Sequence, residues 1–124
     1  MTAPQIARVV LYVKDISRVA AFYTRFFGMA PLPGATQAWV ELASPRGGCT
    51  IALHQAAKTQ KPGAAMKLVF GVRNVRAFKS ALERDGLKVG VVHEPEGFEF
   101  ANLKDPAGNS ISISSRGMEQ AHRL

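Results

Sequence analysis

The chain has 124 residues, 47% of them hydrophobic and 20% charged, an ordinary globular composition with length for one core. Sixteen basic residues against nine acidic ones give a formal charge of +7, but the bases are scattered, with no run of five or six and no nucleic-acid motif. That excludes a nucleic-acid partner from the reading and leaves a solvated basic surface. No apolar run approaches the ~20 residues that span a bilayer, and the first ten residues lack a signal-peptide pattern, so no membrane partner is expected. The single cysteine, Cys49, cannot form an intramolecular disulfide and reads as a small buried side chain in a cytoplasmic protein.

Residues 1–5 form a short lead. Residues 6–13 are β-branched and apolar apart from Arg8, and predict a strand with Ala7, Val9, Leu11 and Val13 on one face and Ile6, Arg8, Val10 and Tyr12 on the other. Asp15 suits a helix N-cap. The helix carries Ile16, Val19, Ala20, Tyr23, Phe26 and Phe27 at spacings of three and four, and Gly28 ends it. Residues 29–36 read as a connector. Residues 38–43 fit a strand with Trp39 and Glu41 on one side, 45–48 a turn, and 49–54 a strand with Ile51 and Leu53 opposite Thr50, Ala52 and His54. Residues 55–63 are a polar linker.

The pattern then restarts. Residues 65–72 predict a strand with Lys67, Val69 and Gly71 on one side, and Asn74 caps a helix over 75–85 held by Val75, Phe78 and Leu82, with Gly86 at its end. Residues 88–93 predict a strand, 95–97 a turn, 98–103 a strand, and Asp105-Pro106-Ala107-Gly108-Asn109 a tight turn. In 110–114, Ser110, Ser112 and Ser114 alternate with Ile111 and Ile113, as in a half-solvated strand. The tail, 115–124, is either frayed or a short helix. The two openings align at an offset of 59 residues: Arg8 falls on Lys67, Leu11 on Phe70, Asp15 on Asn74 and Ile16 on Val75. Such self-similarity implies two copies of one unit. The expected fold class is α+β, a single domain over 1–124 built from module 5–55 and module 64–114.

The stretch IARVVLYVKDISRVAAFYTRFFGM, its restart AMKLVFGVRNVRAFKSALERDG and the segment ANLKDPAGNSISI resemble the vicinal oxygen chelate superfamily, which includes glyoxalase I, extradiol dioxygenases and bleomycin-resistance proteins. The resemblance implies two βαβββ modules whose curved mixed sheet surrounds a shared cleft, often completed in a homodimer. Metal-dependent relatives hold a divalent ion with one residue from the first and one from the last strand of each module. Those positions fall here on Arg8, Ala52, Lys67 and Ser112. Arginine has no lone pair to give, alanine offers nothing and serine is a weak donor, so no metal and no other cofactor is expected.

Arg8 and Lys67, at equivalent positions of otherwise apolar strands, either hold an anion or pair with internal acids such as Glu41 or Glu99. His54 shares a strand side with Ala52 and suits ligand hydrogen bonding or structural packing. Trp39 beside Glu41 suits stacking on a flat or cationic molecule, or packing at an interface. Ser112 adds a hydroxyl, and Tyr12, Phe98 and Phe100 are further candidates for the cleft wall. No nucleophile–base pair can be assembled, so no catalytic residue is assigned. The first reading is a metal-free small-molecule-binding protein of the bleomycin-resistance type, forming a homodimer. The others are a glyoxalase- or dioxygenase-like enzyme with a displaced metal site, and a structural or protein-interaction subunit.

Overall fold

The computed structural model describes residues 8–61, 66–95, 97–116 and 118. The expected strand residues Ile6, Ala7 and Ala65 and most of the tail lie outside them. By its contacts the chain divides into two compact units, Met1–Pro62 and Gly63–Leu124.

The first unit runs β1 (Arg8–Val13), α1 (Ile16–Phe27), β2 (Ala30–Pro31), β3 (Trp39–Ala43) and β4 (Thr50–Gln55). Its sheet has the order β1-β4-β3-β2, with β4 parallel to β1 and antiparallel to β3. Two strands can pair in parallel only when a long connection separates them, and here the helix and two strands provide it. The Asp15 carboxylate accepts from the Arg18 amide at 3.1 Å and caps α1. Gly28 ends the helix at φ 68°, a conformation in which any side chain is strained even though the space around it is open. Helix α1 packs on β3 and β4, burying Ile16, Val19 and Tyr23 over the sheet face of Leu11, Val13, Ile51 and Leu53. Phe22 joins this core, which the helical stripe did not include. It stands at the flank of the stripe, and its ring packs edge-on to Tyr23 at 5.2 Å.

Three expectations for this unit are corrected. The connector over 29–36 contains β2, a two-residue edge strand that tolerates Pro31 because an edge leaves one side of the ladder open. The strand expected over 49–54 begins one residue later, at Thr50. Cys49 is exposed rather than buried, because it precedes the ladder on the loop that Gly47 and Gly48 turn with positive φ.

The second unit runs β5 (Lys67–Gly71), α2 (Val75–Arg84), β6 (Phe100–Lys104) and β7 (Ser110–Ser114). Its sheet order is β5-β7-β6, again with the last strand central, parallel to the first and antiparallel to the other. Asn74 caps α2 by accepting from the Ala77 amide at 3.0 Å, and Val75 and Leu82 are buried with Ala101, Leu103, Ile111 and Ile113. The expected strand over 88–93 is not formed. That segment meets the sheet at two points, Gly90 N–H to the Asn102 carbonyl at 2.8 Å and a single bridge between His93 and Phe100. At the first point the backbones come so close that a Cβ on Gly90 would lie 3.2 Å from that carbonyl oxygen.

The serine stripe is also not half-solvated: Ser112 and Ser114 are buried, and the Ser112 hydroxyl donates to the Ala101 carbonyl at 3.3 Å. Their strand is the central one, so these short side chains sit between a neighbouring strand on each edge. The Asp105–Asn109 turn is held by a buried carboxylate. Asp105 Oδ1 accepts from the Ala107 and Asn109 amides at 2.9 and 2.8 Å, and Oδ2 from Asn109 Nδ2 at 2.8 Å.

Candidate functional site

On the first unit's sheet, the face away from α1 is organised in cross-strand rows. The ladder places Tyr12 and Trp39 on either side of His54, and Val10 and Glu41 on either side of Ala52, while Arg8 stands beside Thr50. Partners in a ladder point to the same face, so strand pairing alone brings these residues together. At one end, the Tyr12 and His54 rings lie 5.1 Å apart and the Trp39 and His54 rings 5.9 Å apart, the latter edge-on. His54 Nδ1 lies 2.9 Å from the Gln55 carbonyl. A carbonyl only accepts, so Nδ1 is the donor in this contact, which in the neutral ring leaves Nε2 as an acceptor. Tyr12 is 44% exposed, so this aromatic corner is open to solvent.

At the other end, Glu41 Oε2 accepts from the Thr50 hydroxyl at 2.6 Å and from Arg8 Nε at 3.2 Å. These bonds, Thr50 first and Arg8 second, hold the Glu41 carboxyl below the usual glutamate range. The Arg8 side chain is 49% exposed, and an ion pair so open to water adds little to stability. Of the sequence-predicted site residues, Arg8, Trp39, Glu41 and His54 therefore share one sheet face.

The second unit repeats the rows with different chemistry. Lys67 and Lys104 flank Ser110, Val69 and Asn102 flank Ser112, and Gly71 and Phe100 flank Ser114. Lys67 Nζ donates to Asn102 Oδ1 at 3.3 Å and Lys104 Nζ to the Ser110 hydroxyl at 3.2 Å. Where the first unit has Tyr12 the second has Gly71, and Met118 occupies the space, its sulfur 2.6 Å from where a Gly71 Cβ would stand. The rings of His93 and Phe100 stack at 4.8 Å, with Phe98 6.1 Å from Phe100. Ser112, the sixth predicted residue, lies under this face with its hydroxyl engaged by the neighbouring strand.

Sequence reasoning missed Thr50, Asn102 and Lys104, and read Ser110 only as part of the serine stripe. The signal for Lys104 and Ser110 was the Asp105–Asn109 turn itself, because the residues flanking a tight hairpin turn face each other. A pocket of about 370 Å³ lined by Arg76, Lys79, Ser80, Val91 and Val92 was likewise unforeseen. Its cations are engaged: Arg76 bonds to Glu94 and Glu99, and Lys79 Nζ donates to the Gly90 carbonyl at 2.8 Å. Arg76 in turn holds the Glu94 carboxyl below its usual range.

Two α+β units, each with a mixed sheet, a helix on one face and a polar and aromatic opposite face, define a class of small repeated-module proteins. The chain belongs to the Glyoxalase/Bleomycin resistance protein/Dioxygenase superfamily, whose family profile matches residues 5–113. Among solved structures it is similar to TnmS3, an antibiotic binding protein from Streptomyces sp. CB03234, with TM-score 0.77 and 23% identity over 91% of this chain and 96% of that one. It is similar as well to a lactoylglutathione lyase from Agrobacterium tumefaciens, with TM-score 0.73 and 22% identity over 92% and 95% of the two chains. A member of the superfamily from Sphaerobacter thermophilus DSM 20745 shows TM-score 0.74 and 18% identity over 92% and 98%. No curated protein sequence matches it significantly.

The divalent ion of metal-dependent relatives does not fit the residues present. Arg8 is a cation bonded to Glu41, Ala52 has no donor atom, Lys67 is a second cation, and the Ser112 hydroxyl is spent on a backbone carbonyl. Among the described residues no group of three or more His, Cys, Asp or Glu side chains is placed to hold a metal ion, and no helix is long and apolar enough to cross a membrane.

Proposed function

We propose that this chain is a metal-independent small-molecule-binding protein of the bleomycin-resistance type, taking a ligand with aromatic and anionic parts and leaving it unchanged. The observation that carries this reading is the row Tyr12–His54–Trp39, three rings on an open sheet face with the Arg8–Glu41 pair on the same face. Aromatic rings stack on a flat ligand at little entropic cost, and His54 Nε2 offers a hydrogen-bond acceptor beside them. Glu41 stands one cross-strand row from that corner and Arg8 two, so a paired anion and cation lie on its sheet face. Within the second unit, Lys67 and Ser112 are the corresponding candidates for ligand contact on that unit's own sheet. The proposal extends to a homodimer in the cytoplasm. An antibiotic binding protein with the same fold supports a binding role as one the scaffold accommodates.

Trp39 is the chain's single tryptophan and reports directly on the site. Titration with planar aromatic carboxylates and planar aromatic cations is expected to change Trp39 fluorescence saturably and to raise the melting temperature, since a ligand bound only to the native state stabilises it. A His54→Ala variant is expected to weaken the response, and added EDTA to leave it intact. A response abolished by EDTA and restored by a divalent ion would overturn the reading, as would saturable binding that leaves Trp39 emission unmoved.

A further inference from the structure

The two units are each other's control. In the first, a cation from the first strand (Arg8) and a hydroxyl from the last strand (Thr50) converge on one carboxylate oxygen, Glu41 Oε2, at 3.2 and 2.6 Å. The chain itself thus shows that this arrangement of donors binds an oxyanion. In the second unit the cation and the hydroxyl recur as Lys67 and Ser110, which pair in the ladder just as Arg8 and Thr50 do. The third member does not recur. The residue on the outer strand, level with Glu41 in the row pattern, is Asn102, a neutral amide. The second unit also adds a cation: Lys104 lies directly across Ser110 from Lys67. Among the described residues the groups these two lysines are bonded to are neutral, the Asn102 amide oxygen and the Ser110 hydroxyl. Both lysines are exposed, and so is Val69 beside them, at 62%. The acids whose bonds are described in this unit are engaged elsewhere: Glu94 and Glu99 by Arg76, Asp105 by its own turn.

We propose that Lys67, Ser110 and Lys104, with the Asn102 amide beside them, form an anion site for the carboxylate or phosphate group of a ligand, in the place the internal Glu41 carboxylate fills in the first unit. Two ammonium groups astride a hydroxyl supply charge-assisted hydrogen bonds to an oxyanion from three directions. Asn102, free to turn its amide, contributes an NH₂ donor once Lys67 turns to the anion. Arg8, by contrast, is already satisfied by Glu41. The inference stands on the second unit by itself and names the chemical group that its sheet face takes.

The probes are inorganic phosphate and acetate, titrated into isotopically labelled whole protein at constant ionic strength with chloride as the control. Amide and lysine resonances of Lys67, Asn102, Lys104 and Ser110 are expected to shift saturably, and the anion saturating at lower concentration identifies the headgroup. Asn102→Asp restores the internal carboxylate of the first unit and is expected to weaken the phosphate response by about tenfold or more. Glu41→Gln removes that carboxylate and is expected to create a second phosphate response at Arg8 and Thr50. Lys104→Gln, on an exposed strand end, provides the variant whose folding is not in question, and a similar loss is expected. Shifts that chloride reproduces, or a phosphate response that Asn102→Asp and Lys104→Gln leave unchanged, would overturn the proposal. Such a failure would leave the Trp39 titration standing, and a failure of that titration would leave this one readable.

Discussion

Replacing Asp105 with alanine tests how the second unit holds its site in place. The side chain lies in the loop joining β6 to β7 and accepts from the Ala107 and Asn109 amides and from Asn109 Nδ2, at 2.8 to 2.9 Å. Asp105 is 4% exposed and Asn109 6%, so water cannot readily replace the acceptor for the two Asn109 donors. A buried donor left without a partner costs roughly 1–3 kcal/mol, whereas the half-exposed Ala107 amide can turn to solvent. Two orphaned donors therefore set the cost of Asp105→Ala at about 3 kcal/mol, a drop in melting temperature of roughly 10 °C for a chain of this length. Asp105→Asn keeps an oxygen for the two backbone amides and loses only the bond to Asn109 Nδ2, so about half that cost is expected. Urea denaturation followed by far-UV circular dichroism measures both. Equal costs for the two variants, or a cost for alanine below about 1 kcal/mol, would show that the carboxylate does not hold the turn. The same turn sets Lys104 opposite Ser110, so Asp105→Ala is also expected to weaken the phosphate response.

Two further outcomes are expected. Glu41 titrates below its ordinary value in the folded chain because of Thr50 and Arg8. Its contribution to stability is therefore present above the ordinary glutamate value of about 4.3 and is lost as pH falls through the lower folded value. The stability difference between the wild type and Glu41→Gln should accordingly be larger near neutrality than at about pH 3, and a pH-independent difference would refute the reasoning. Cys49 is exposed. The native protein should react with one equivalent of a thiol reagent at the rate of an unhindered thiol, and a reaction that needs urea would refute that placement.

The sequence alone determined the local elements of each unit. Strand, cap, helix and terminal glycine are encoded within some twenty consecutive residues each time. Hence the pattern around Asp15 and Gly28 was legible, as was its repeat around Asn74 and Gly86. Face assignments within a strand were legible too, because alternation is a property of the backbone: Arg8, Val10 and Tyr12 do lie away from the core of Leu11 and Val13.

What depended on neighbours far along the chain was decided only by the tertiary structure. The burial of Ser112 and Ser114 follows from the central position of β7, which no alternation of serine and isoleucine encodes. Residues 88–93 have the composition of a strand, yet their backbone bonds to β6 are made at Gly90 and His93 without forming a ladder. Cys49 is exposed because the ladder starts at the next residue. The candidate site belongs to the same class. Arg8 and Glu41 are 33 residues apart and Lys67 and Asn102 35 apart. They meet because each last strand enters the middle of its sheet, between the strand carrying the cation and the strand carrying the acceptor. Residue types are written locally, and strand order is set by the burial of whole faces, so only the folded chain shows that, among the described residues, one cation meets an internal carboxylate and the other a neutral amide.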